Sequence, residues 1–235
     1  MQDTHSTPEF HAARASLYAT LAATLSYPTE SRIDDLIAPD TQDGVRSAAR
    51  RLGFESEADA LMDALEATSQ SALEAVYNEL FGIPDGGTYP VVPYEASYTV
   101  GSETDQQQRR IATVVGLMDA FGVEPSDEFT ERQDHVAAEL ELAQVLAAQR
   151  AVALEHGDET GAEQIERAEA TFLDEHLADF IPSFARRVRE ATDSETYCAA
   201  VDLAESLVAW DRSSHPEPTV AMGQFAEPGE VNPDA

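Results

Sequence analysis

The sequence predicts an all-α fold: a single helical-bundle domain of about eight to nine helices, with room for two helical subdomains. Three observations carry this. Apolar residues recur three and four apart along most of the chain, the pattern is interrupted by proline, glycine and hydroxyl residues, and no alternating strand pattern of useful length is present. At 235 residues and 43% hydrophobic content, the chain is long and apolar enough to bury a substantial core.

The elements follow in order. Ser6-Thr7-Pro8-Glu9 supplies a hydroxyl cap, a first-turn proline and a capping-box glutamate, and Phe10, Ala13, Leu17, Leu21 and Leu25 continue at helical spacing to a stop at Tyr27-Pro28. A short helix from Glu30 points Ile33, Leu36 and Ile37 inward and ends at Pro39; the next runs from Thr41 to a C-terminal Gly53. Ser56-Glu57 starts a stretch with Leu61, Leu65, Leu73, Val76, Leu80 and Phe81 inward and a break near Ser69 to Ser71. Residues 82 to 101 differ in kind, since Gly86-Gly87, three prolines and several aromatic and valine positions form an irregular loop too apolar for a solvated linker. Helix resumes near Glu103, burying Ile111, Val114, Val115, Met118 and Phe121 before Gly122, and a long helix after Glu124-Pro125 reaches His156-Gly157. Another spans Asp158 to Phe180, Pro182 forces a break before a shorter helix, and Ser194-Glu195 caps the last, which reaches Trp210. The helical domain is therefore expected over 1–211. Residues 212–235, acidic and with four prolines, are expected to be a disordered tail.

Charge is the strongest compositional signal. There are 45 acidic residues against 14 basic ones, a formal net charge of -31, and every basic residue is arginine. Acid excess without lysine fits a protein working in near-molar salt, where a Debye length of about 3 Å screens self-repulsion. A halophilic source is expected. The same charge repels phosphates and argues against nucleic acid. No run of eighteen apolar residues occurs, so no stable membrane insertion is expected, and the first thirty residues lack a secretory pattern, which points to the cytoplasm. Cys198 is the only cysteine; it excludes an intrachain disulfide and a thiolate zinc site and reads as an inert core thiol.

Function is sought between Tyr77 and Leu146. Tyr77, Phe81, Tyr89, Tyr94 and Tyr98 combine apolar area with hydroxyls, the composition of a recognition surface, and Tyr94, Glu95 and Tyr98 lie outside any helix beside Pro93. Further on, Glu131 and His135 are four apart and would share a helix face, with Asp134 on a neighbouring face and Glu139 continuing the line. Such a face could ligate a metal together with His176, although no Glu-x-x-His pattern is present. No nucleophile elbow or phosphate-binding glycine loop occurs either.

Tyr77-x-x-Leu80-Phe81, Pro93-Tyr94-Glu95-x-x-Tyr98, Glu131-x-x-Asp134-His135 and Phe172-Leu173-x-x-His176-Leu177, in this order, resemble the TorD/DmsD group of chaperones, including its nitrate reductase branch. The likeness spans roughly residues 10 to 210, in what would be a haloarchaeal-type member, and departs from the family pattern at Arg132-Gln133 and Ala96. The resemblance implies an all-helical cytoplasmic chaperone, not an enzyme, with no cofactor of its own. Its partner would be the precursor of a molybdopterin oxidoreductase catalytic subunit of the dimethyl sulfoxide reductase type, whose twin-arginine leader it holds until the cofactor is inserted. The signal-peptide-binding positions carried over are Tyr77, Leu80, Phe81, Pro93, Tyr94, Glu95, Tyr98, Glu131, Asp134 and His135. A monomer or a dimer would both fit. Two other readings stand beside it: a helical metal-dependent enzyme using Glu131, His135 and Glu139, and an adaptor docking a folded partner through the aromatic loop.

Overall fold

The computed structural model describes residues 7–83, 87–99, 104–123 and 131–218. Eleven α-helical segments and one π-helical turn make up the secondary structure of these residues: α1 Pro8–Thr24, α2 Glu30–Ile37, α3 Pro39–Leu52, α4 Glu55–Ala67, α5 Gln70–Phe81, α6 Ala96–Thr99, α7 Thr104–Ala120, α8 Val136–Glu155, α9 Glu159–Phe172, the π turn Leu173–Leu177, α10 Ala178–Ala191 and α11 Glu195–Ser214. Among the described residues the only β-type pairing is one isolated antiparallel bridge between Tyr94 and His135. The all-α expectation holds.

The punctuation read from the sequence accounts for many of the helix ends. Thr7 caps α1 by accepting from the Phe10 amide, Ser69 caps α5 at the expected break, and Asp158 caps α9. Gly53, Gly122 and Gly157 adopt positive φ just beyond α3, α7 and α8, where a side chain would be strained. Gly82 is required differently: a Cβ there would lie 2.3 Å from the Asn78 carbonyl oxygen. Only glycine lets the chain leave α5 along this path.

Four expectations are corrected. Pro39 opens α3 rather than closing α2, a natural place for a residue without an amide hydrogen. Ile37 is 36% exposed because it is the last residue of α2, past the stripe formed by Ile33 and Leu36. Pro182 does not break the helix but sits inside α10, where it forfeits the single bond its amide would have given to Ala178. The irregularity lies upstream instead, in the π turn, where the Ala178 amide reaches back to Leu173. Finally, α11 continues past Asp211 to Ser214, so the expected tail boundary falls inside a helix; residues 219–235 lie outside the described residues.

One connected core joins Phe10 of α1 to Val208 of α11, with α1 running along α8 and α11 packing on α4 and α10. Trp210 packs against this core, its ring centroid 5.8 Å from Phe10 and 5.5 Å from Phe54. Cys198 is only half-buried and bonds weakly to the Thr192 carbonyl, so it is not the core thiol expected.

The main junction of α1, α8, α9 and α11 is polar. Arg14 is 1% exposed. Its Nη2 donates to Asp211 Oδ2 at 2.8 Å and its Nη1 lies 3.0 Å from Glu169 Oε1, while the Tyr18 hydroxyl donates to Asp211 Oδ2 at 2.8 Å. Arg150 of α8 donates to the same Glu169 at 2.9 Å, and His215 lies 3.2 Å from it. The surrounding cations hold the Glu169 carboxyl well below the usual carboxylate range despite its burial. A buried charge whose partner is removed is far costlier than the intact pair is worth. Asp211→Ala is therefore expected to lower the unfolding free energy by about 3–5 kcal/mol, measured by urea denaturation in the protein's working salt.

Candidate functional site

The loop between α5 and α7 is fastened to the bundle by its own backbone. The Val91 amide donates to the Leu80 carbonyl at 2.9 Å, Glu95 N–H to the Asp134 carbonyl at 2.9 Å, and Val136 N–H to the Pro93 carbonyl at 2.8 Å. These bonds bring Pro93-Tyr94-Glu95 alongside Asp134-His135 at the start of α8. Two polar clusters result.

The first is buried. Glu95 is fully enclosed; its Oε1 accepts from Arg110 Nε of α7 at 2.6 Å, and its Oε2 lies 3.0 Å from His176 Nδ1 in the π turn. The π turn does two things here. It carries His176 and presents the Glu175 carbonyl, which accepts from Arg110 Nη2. Glu139, one turn into α8, lies beside this pair, and Glu95, Glu139 and His176 each offer one ligand atom within 4.8 Å of the others. Such a trio could chelate a cation, yet both oxygens of Glu95 are already engaged by Arg110 and His176. Burial, with the carboxyl groups of Glu95 and Asp134 nearby, raises the pKa of Glu139 well above the carboxylate range. The arrangement suits an ion pair beside a proton-bearing carboxyl.

The second cluster reaches the surface. Asp134 is fully buried, and its carboxylate takes a bidentate clasp from Arg132, with Nε to Oδ1 at 2.9 Å and Nη2 to Oδ2 at 2.6 Å. The Ala96 amide also donates to Oδ2, at 3.2 Å. The Arg132 guanidinium lies over the Tyr94 ring, 4.5 Å from its centroid, and the Tyr94 hydroxyl donates to Glu131 Oε2 at 2.5 Å. Tyr89 stands edge-on to Tyr94 at 5.9 Å. A carboxylate at the base, an aromatic wall and a second carboxylate at the rim form a cradle shaped for a planar cation.

The expected helical face of Glu131, His135 and Glu139 does not exist. α8 begins at Val136, and Glu131 lies in the exposed segment before it, because His135 is the extended N-cap and the residues just ahead of it form a turn closed by the His135 amide on the Arg132 carbonyl. The His135 Nδ1 accepts from the Ala137 amide at 3.1 Å, so the ring is a neutral acceptor, and burial lowers its pKa to about 4. A metal constellation of Glu131, His135 and Glu139 is therefore not assembled. Residues 124–130, where the helix was expected to begin, lie outside the described residues.

The aromatic positions divide as well. Leu80 and Phe81 are core, with Phe81 stacked 6.0 Å from Phe184 and edge-on to Tyr197 at 6.1 Å. Tyr77 is buried edge-on to Phe81 at 5.0 Å and to Tyr27 at 5.4 Å. Tyr98 is half-buried against Phe180 and Phe184, its hydroxyl donating to the Val92 carbonyl at 2.6 Å, and burial pushes its pKa up to about 12. The exposed apolar groups in this region are Tyr27 and Ile83, at 42% and 60%. Arg110 and Ile83 escaped the sequence reading, each a single residue on an otherwise unremarkable stretch, while Arg132 entered it only as a departure from the family pattern and Tyr27 only as part of a helix stop.

A family model described as the nitrate reductase delta subunit matches residues 47–186, more than half of the chain and including both clusters. The chain belongs to the TorD/DmsD family. Among the relatives of this TorD/DmsD chain are the chaperone protein TorD of Photobacterium profundum, 30% identical over 61% of this chain and 63% of the relative, and the selenate reductase assembly chaperone protein of Thauera selenatis, 32% identical over 68% and 78%. The chlorate reductase assembly chaperone protein of Ideonella dechloratans is 32% identical over 63% and 72%. The chain thus spans somewhat under two thirds of the length of its TorD relative. Both α1 and α11, which supply Arg14 and Asp211 to the buried network, lie outside the segment that matches the TorD/DmsD family model, while Arg150 and Glu169 lie within it.

Two titrations should act in opposite directions on stability. The unfolded chain protonates His135 near its ordinary 6.5 while the folded chain resists until about 4, so stability is lost as pH falls through that window. Glu139 is the reverse: its folded pKa is raised, so its contribution is fully present below the unfolded value of 4.5 and is lost as pH rises. Glu139→Gln, neutral at every pH, is expected to stabilise the protein at pH 8 and to have little effect at pH 4, read from urea midpoints at the two pH values.

Proposed function

We propose that this chain is a chaperone for an oxidoreductase of the dimethyl sulfoxide reductase type, acting in the cytoplasm. It binds the twin-arginine leader of the precursor catalytic subunit and holds it while the molybdopterin cofactor is inserted. The relatives named as a TorD chaperone and as assembly chaperones of selenate and chlorate reductases support a role of this kind. The observation that carries the leader reading is the Asp134 cradle: a buried carboxylate clasping a guanidinium against Tyr94, at a turn open to solvent.

A twin-arginine leader presents two guanidinium groups followed by an apolar segment of roughly 7 to 15 residues. The cradle takes one arginine, and the apolar segment lies over the exposed Tyr27 and Ile83 and the half-buried ring of Tyr89. Leu80 and Phe81 support that surface from beneath. In strong salt the apolar contact persists while long-range attraction is screened, so recognition of the arginine depends on close bidentate hydrogen bonding. Lysine, a point charge without the planar fork, is a poor substitute.

The test is binding of a synthetic leader peptide to the full chain at the protein's working ionic strength. Micromolar or tighter binding is expected, falling about tenfold or more in Asp134→Asn with the helical circular dichroism unchanged, and falling likewise when both peptide arginines become lysine. Equal affinity for the arginine and lysine peptides would move the assignment away from this site. Co-purification from native cells, followed by mass spectrometry, identifies the partner: a precursor carrying its leader supports the chaperone reading, and a mature partner alone supports a docking adaptor.

A further inference from the structure

We infer that Arg132 is a built-in occupant of the guanidinium site, so that a leader arginine binds by displacing it and the chain sets its own affinity threshold through this residue. The inference rests on the leader reading given above and concerns how the same site is regulated.

Three observations carry it. Arg132 makes both of the bonds a foreign arginine would make to Asp134, at 2.9 and 2.6 Å, and occupies the same face of Tyr94. The site it fills is otherwise complete: Asp134 is fully buried and the Ala96 amide holds its second oxygen. Yet the Arg132 side chain is itself 47% exposed, the mark of an occupant clasped at one end and free to leave into water along its stem. The arginines that hold the other buried carboxylates are far more enclosed: Arg14, on Asp211, is 2% exposed and Arg110, on Glu95, is 20% exposed.

The energetics give this arrangement a purpose. A competitor two residues away from Asp134 acts at the high effective concentration of a short tether, so an isolated arginine on an unrelated peptide cannot displace it. Only a ligand that adds a second contact, such as the apolar segment of a leader, overcomes the competition. Selectivity arises because the apparent dissociation constant is the intrinsic one divided by the fraction of molecules whose site is open. In a chain with 13 other arginines and a charge of -31, a cradle left open would be exposed to adventitious basic segments.

The experiment compares wild-type protein with Arg132→Gln and Arg132→Lys for binding of the leader peptide and of a control peptide carrying the two arginines without the apolar segment. Self-occupancy predicts that Arg132→Gln binds the leader more tightly, by on the order of tenfold for a site open about one tenth of the time. It also predicts that Arg132→Gln now binds the control peptide, and that Arg132→Lys falls between. Because the substitution leaves Asp134 with fewer partners, thermal melting is followed with and without leader: the variant should be less stable alone and gain more from the peptide than wild type. Equal or weaker leader binding by a folded Arg132→Gln overturns the inference, assigning Arg132 to structure or to direct leader contact. Failure of wild type and variants alike to bind leader overturns the leader reading itself, and this inference with it.

Discussion

Everything at the site hangs on the enclosed carboxylate of Glu95. A charged group with no solvent has to be met by partners, and it draws them from segments far apart in the chain: Arg110 from α7 and His176 from the π turn. Those contacts fix the height at which the loop meets the bundle. With Glu95 held, the backbone bonds of Pro93 and Glu95 to the start of α8 follow in register, and the buried Asp134 is set directly beneath the exposed turn that carries Arg132. The cradle exists because a neighbouring carboxylate is immobilised. Glu139, buried beside Glu95 and Asp134 in the same enclosure, makes that region lose stability as pH rises.

What was legible in the sequence is what local chemistry determines. Thr7, Ser69, Gly53 and Gly157 mark helix ends through hydrogen bonds and conformational freedom that depend only on near neighbours. The all-α class follows from the same periodicity. At the site, the order of the motifs brought Tyr94, Glu95, Asp134 and His135 to attention together, but it could not divide them by role. Glu131 and His135 share a helical spacing without sharing a helix, since nothing local distinguishes an acid in a first turn from one in the turn before an N-cap.

The partnerships across the fold were not legible. Glu95 and His176 are separated by 81 positions, and Arg14 and Asp211 by 197. On a helix read in isolation His11 and Arg14 look like solvent-facing residues; only when α8, α9 and α11 enclose α1 do they become an interior charge network, with burial and nearby arginines lowering the His11 pKa to about 3. Pro182 misled for a related reason. A proline forbids one hydrogen bond, and a helix held on its other faces by packing loses only that bond.

The single tryptophan gives the protein an unplanned optical property. Trp210 lies where α11 meets Phe10 at the head of α1 and Phe54 beyond α3, against the main core rather than among the rings of the α5 to α7 loop. Its emission is a gauge of whether the two chain ends remain docked. Events at the Tyr94 cradle belong to tyrosine, so excitation of indole separates loss of the bundle from occupation of its loop in one sample.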